Sequence, residues 1–206
     1  MSRSLYLLLP CALLLATCSG DPEKKTTADG TAATHGPLLT AMPAGESGVA
    51  FNNSISESPE LNYYTYVYAY NGGGVAAGDI DNDGLADLYF TGNQVGDKLY
   101  RNLGNMKFED ITEKAIGAKA SEGWRTGVTM ADVNADGFLD IYVCRSGLTK
   151  DPALTANLLY MNNGNGTFSE RAQEFGIADT SHSTQAAFFD ADRDGDLDLH
   201  VINHPI

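Results

Sequence analysis

Asp79-Ile80-Asp81-Asn82-Asp83-Gly84-Leu85-Ala86-Asp87 sets carboxylates at the first, third, fifth and ninth positions of one short stretch, with glycine at the sixth. Like charges this close repel one another more strongly as the local dielectric falls, so the loop needs a bound cation to offset the repulsion. Calcium suits the donors. It takes about six to eight oxygens in a flexible shell, which carboxylates at alternate residues supply where a glycine lets the chain turn sharply.

The pattern returns as Asp132-Val133-Asn134-Ala135-Asp136-Gly137-Phe138-Leu139-Asp140, with one amide for a carboxylate, and as Asp190-Ala191-Asp192-Arg193-Asp194-Gly195-Asp196-Leu197-Asp198. The steps between the three are 53 and then 58 residues. Self-similarity at that period implies a solenoid, a propeller or an array. A single loop of this kind reads equally well as a polar turn; three in register do not.

Each loop lies between apolar runs. Val75-Ala76-Ala77, Val128-Thr129-Met130 and Ala186-Ala187-Phe188-Phe189 lead in, and Leu88-Tyr89-Phe90, Ile141-Tyr142-Val143 and Leu199-His200-Val201-Ile202 lead out. Asn102-Leu103-Gly104-Asn105 before Phe108, and Asn162-Asn163-Gly164-Asn165-Gly166 before Phe168, mark a further hairpin in two of the repeats. A full repeat thus has about four short strands, and the fold class is all-β. The helical calcium motif shares the opening residues but requires Glu at its twelfth position, where this chain has Phe90, Val143 and Val201.

These loops between strands resemble the calcium hairpins of FG-GAP and VCBS-type repeats, which build β-propellers such as the integrin α-subunit head. Asn71-Gly72-Gly73-Gly74-Val75-Ala76-Ala77-Gly78-Asp79, Lys98-Leu99-Tyr100-Arg101-Asn102, Phe108-Glu109-Asp110-Ile111-Thr112 and Trp124-Arg125-Thr126-Gly127-Val128 further resemble the repeat region of ASPIC/UnbV proteins, the group that includes cartilage acidic protein. The resemblance covers residues 45–206. It lacks the Gly-Ala-Pro that names the FG-GAP repeat and the C-terminal ASPIC/UnbV segment. Propellers of this kind use about seven blades. Two complete repeats and part of a third are expected to be a fragment of a longer protein, or blades completed by another chain.

Matching the motif assigns side-chain calcium ligands to Asp79, Asp81, Asp83 and Asp87; to Asp132, Asn134, Asp136 and Asp140; and to Asp190, Asp192, Asp194 and Asp198, with backbone carbonyls from Leu85, Phe138 and Asp196. About three Ca2+ ions are the expected cofactors. No catalytic residue is expected. Every clustered Asp has a ligand position, and none is read as isolated in an apolar setting that would suit acid catalysis. His182, His200 and His204 read as scattered.

The chain carries 13 basic and 27 acidic residues, a net charge of -14, and has no basic stripe for a phosphate backbone, which excludes nucleic acid as a partner. Residues 1–18 read as a signal peptide: Arg3, an apolar run from Leu5 to Ala16, and a lipobox-like end in which Cys18 is the lipidation site, with ordinary cleavage a few residues later as the alternative. Residues 19–44 read as a flexible linker that includes His35, and residues 45–206 as the repeats. Cys144, in an apolar run, reads as a core residue rather than a nucleophile. Tyr64, Tyr66, Tyr68 and Tyr70 alternate as on one strand face, for cross-strand packing or for carbohydrate.

The expected function is an exported, membrane-anchored lipoprotein facing the periplasm or cell surface, a calcium-binding propeller scaffold for an unknown protein or glycan. The alternative is a non-catalytic platform of a larger enzyme, with chemistry in a missing C-terminal domain.

Overall fold

Acidic loops that join β-branched and aromatic runs should close hairpins, and three such hairpins organise the computed structural model, which describes residues 39–205. The strands are β1 (Val75–Gly78), β2 (Asp87–Phe90), β3 (Lys98–Asn102), β4 (Phe108–Asp110), β5 (Trp124–Ala131), β6 (Asp140–Ser146), β7 (Leu158–Asn162), β8 (Phe168–Glu170), β9 (Ser183–Phe189) and β10 (Asp198–Asn203). They form antiparallel sheets in the orders β1-β2-β3-β4 and β5-β6-β7-β8, and a two-stranded β9-β10. The pairs Gly78 with Asp87, Ala131 with Asp140 and Phe189 with Asp198 close the three ladders against their loops. The fold is all-β, in successive blades of propeller type. The helices α1 (Ala44–Ser47), α2 (Thr112–Ala115) and α3 (Pro152–Thr155) are single turns.

The core follows the period of two. In β6, Ile141 and Val143 join Tyr89 and Leu99 of the first blade, while Tyr142 and Cys144 face the other way and meet Ala186 and Phe188 of the third. β7 divides likewise, Leu158 and Tyr160 one way, Leu159 and Met161 the other. All seven residues of β6 are buried, because a middle blade has neighbours on both faces. Cys144 is a core residue, its thiol pushed up to about 12 by burial.

The first strands of successive blades lie side by side, β5 between β1 and β9. Glycines allow the approach. A Cβ at Gly74 would lie 2.8 Å from the Thr126 carbonyl oxygen, and one at Gly127 would collide with Gln185 Oε1 and the Thr184 carbonyl oxygen.

The tyrosine run departs from its expected strand. Residues 61–70 form consecutive turns, because Asn62 Oδ1 accepts the Tyr64 N–H at 2.9 Å and the Asn62 carbonyl accepts that of Tyr66 at 2.9 Å. Local Asn hydrogen bonds of this type offer the backbone an alternative to a ladder. Tyr66 is therefore buried, while Tyr64 is 95% exposed. Leu39 to Pro43, at the end of the expected linker, are exposed and irregular before α1. The signal peptide, Cys18, His35 and the rest of the linker lie outside the described residues.

Candidate metal sites

The three loops share one backbone path. The fourth position is left-handed in each, at Asn82, Ala135 and Arg193 with φ of 60°, 56° and 68°, and so is the sixth, at Gly84, Gly137 and Gly195 with φ of 87°, 91° and 97°. The sixth is the more extreme, and glycine occupies it each time. Two left-handed residues so close fold the loop back on its first Asp. Asp79 accepts the Asp83 N–H at 3.2 Å and that of Gly84 at 2.8 Å, Asp132 those of Asp136 at 3.0 Å and Gly137 at 2.8 Å, and Asp190 those of Arg193 at 2.6 Å and Gly195 at 3.2 Å.

The ninth Asp is also a latch. Asp87 Oδ2 accepts the Ile80 N–H at 3.0 Å and its Oδ1 that of Asn102 at 2.7 Å; Asp140 does the same with Val133 at 3.0 Å and Asn162 at 2.8 Å. Both residues are fully buried, and burial raises both pKa values against the lowering effect of these N–H groups. Asp198, in the two-stranded blade, keeps the Ala191 N–H at 2.8 Å and is exposed.

Carboxylate oxygens of Asp79, Asp81 and Asp87 lie within 4.8 Å of one another, as do those of Asp190, Asp192 and Asp194. Asp81 Oδ1 is buried with no hydrogen-bond partner among the described residues, which would leave an anionic oxygen uncompensated without a cation. A carboxylate oxygen that accepts one N–H retains a lone pair, so the Asp79 and Asp87 hydrogen bonds leave room for an ion. The oxygen-only donor set fits a hard divalent cation. In the second loop Asn134 Nδ2 donates to Asp136 Oδ2 at 2.8 Å, and among the described residues no carboxylate triad forms there. Asp83 and Asp198 stand outside the two triads, and Asp83 accepts the Leu85 N–H at 2.8 Å. Asp136 and Asp194 make the same bond to Phe138 and Asp196, at 2.9 and 3.1 Å. A side-chain hydrogen bond with Asp194, and then the charge of that carboxylate, raise the pKa of Asp196.

Sequence reasoning missed two clusters. Asp97, between β2 and β3, pairs with Arg125 of β5 at 2.6 Å with both side chains buried, and also accepts from Gly92 N–H and Tyr89 Oη, each at 2.8 Å. Burial nevertheless keeps the Asp97 pKa above its ordinary value. The second cluster corrects the view of scattered histidines: Ser146 Oγ lies 2.8 Å from Tyr66 Oη, 3.0 Å from His204 Nε2 and 3.4 Å from His182 Nδ1. His200 stays apart, within β10. The hairpin register carried the missing signal. From Phe189 opposite Asp198 the ladder runs, through one bulge, to Ser183 opposite Asn203, which puts His182 beside His204.

A search of the curated proteins finds no match. The profile of the FG-GAP-like repeat matches residues 79–143 and 151–201, more than half of the chain. Its matches begin at Asp79, the first residue of the first loop, and take in all three acidic loops, so this chain belongs to the FG-GAP-like repeat family.

Proposed function

We propose that this chain is an exported calcium-binding propeller scaffold that presents a surface to a protein or glycan partner and does no chemistry of its own. The observation that carries the calcium reading is the buried, unpartnered Asp81 Oδ1 beside Asp79 and Asp87. We assign the strongest sites to the first and third loops, with a weaker one in the second, where Asn134 replaces a carboxylate. The ions would act as clamps on the hairpins. If each site binds at about 0.1 mM in about 1 mM calcium, linkage contributes roughly 1.4 kcal/mol per site, a sizeable share of the roughly 5–15 kcal/mol that holds a domain together.

Export and lipidation at Cys18 rest on the leader residues alone. Among the described residues no helix is long and apolar enough to cross a membrane. Kinship with the ASPIC/UnbV group rests on the quoted motifs. Calcium calorimetry on the full chain tests the metal reading: two or three sites are expected, with the heat lost from one site in Asp79→Ala, and a folded chain that takes up no calcium would remove the assignment.

A further inference from the structure

Tyr68, Asn71, Thr126, Gln185 and His204 surround a cavity of about 200 Å³ that no part of the calcium reading uses. It opens where the first strands converge. Gly73-Gly74, Thr126-Gly127 and Thr184-Gln185, which also line it, all stand six and five residues before the first Asp of their loops. The repeat therefore builds the cavity from equivalent positions. At the second of these, two blades have glycine, which the strand approach requires, whereas the third has Gln185, an exposed side chain whose amide lines the cavity. Tyr68 and His204 lie ring against ring, with centroids 3.8 Å apart, and Tyr66, which also lines the cavity, shares the Ser146 hydroxyl with His204.

The lining is chemically selective. Among the described residues it contains no Asp, Glu, Lys or Arg, so a charged ligand would lose water without gaining a countercharge from them. It does offer aromatic rings, two side-chain amides and the hydroxyls of Thr126 and Thr184, the mixture of apolar walls and few placed polar groups that orients a small ligand. The volume is below the roughly 300–1,000 Å³ of pockets for drug-sized molecules, which sets the occupant at about a single ring. The geometry points to a site for one neutral pyranose, its C–H face against the outer side of the stacked Tyr68–His204 pair and its hydroxyls on Asn71, Gln185 and Thr126. This rests on the scaffold reading and narrows its partner to a glycan. The same sugar ring is available free or as the terminal residue of a chain.

Trp124, the only tryptophan of the sequence, packs edge-on against Tyr66 at 5.5 Å and reports on the cavity wall. The full chain in calcium is titrated with glucose, galactose, mannose and N-acetylglucosamine, read by tryptophan emission and by calorimetry. A saturable response to at least one is expected, weakened about tenfold or more in Tyr68→Ala and in Gln185→Ala and kept in His200→Ala, which lies outside the cavity. Gln185 is exposed, so its variant stands should Tyr68→Ala fail to fold. An oligosaccharide ending in the responding sugar that binds more tightly than the free sugar identifies a glycan terminus as the source; equal affinity identifies the free sugar. No response to any of the four, a response unchanged in both variants, or the same response to sulfate would overturn the proposal. A melt of the same samples with and without chelator keeps the two readings apart. A calcium-dependent melt with flat titrations removes only the sugar site, and a saturable titration with no calcium effect removes only the clamps.

Discussion

Asp81 and Asp87 lie six residues apart in one loop and hold opposite hydrogen-bond states: Asp81 Oδ1 has no partner, and both oxygens of Asp87 have backbone partners. Their substitutions should separate accordingly. In chelator, Asp87→Asn turns an acceptor into a donor opposite the Ile80 or Asn102 N–H and is expected to cost about 1–3 kcal/mol in denaturant unfolding. Asp81→Asn removes an unpartnered buried charge, so it should leave the calcium-free chain at least as stable as the parent and remove only the first site's calcium response. His182 supplies a pH dependence. Burial, then the nearby His204, lowers its pKa below 6.5, so as pH falls through about 6.5 the unfolded chain binds the proton first and stability declines. His182→Gln should show a shallower decline than the parent between pH 7 and 5, measured by urea unfolding in chelator; parallel curves would contradict this.

β6 and the pairs that flank it carry the packing between blades. Ile141→Ala, at a fully buried position between two sheets, is expected to cost about 2–5 kcal/mol. Arg125→Met strands the Asp97 carboxylate in the interior and should cost about 3–5 kcal/mol, more than a substitution at the exposed pair Arg101–Glu109, which is worth under about 1 kcal/mol. Denaturant midpoints of the three variants check the order. The hairpins were legible in the sequence because D-x-D-x-D-G and its flanking apolar runs are local signals that fix both the loop and the register. The Asp97–Arg125 pair was not, since its partners lie 28 residues apart in different blades and no periodicity connects them. The tyrosine run misled because alternation in residues 64–70 has a strand's period, while the Asn62 hydrogen bonds that decide its shape leave no periodic trace.

At the scale of the whole molecule, loops and interfaces are joined. Asn82 Nδ2 donates to the Gly137 carbonyl at 3.0 Å, and the buried Asn162 Nδ2 to that of Ile80 at 2.8 Å, so the first loop is tied to the second blade through its second and fourth residues. An ion that stiffens this loop stiffens the contact between blades. Spacing marks four side-chain positions in each loop, of which Asp79, Asp81 and Asp87, and Asp190, Asp192 and Asp194, come together. What spacing did not reveal is that Asn134 offers its amide nitrogen to Asp136 in the second loop. Thermal unfolding of the full chain, with and without chelator, beside Asp79→Ala, tests the calcium clamp most directly. Calcium is expected to raise the melting temperature by about 10 °C, with a clearly smaller rise in the variant. An identical melting temperature in chelator and in millimolar calcium, from a folded chain, would contradict it.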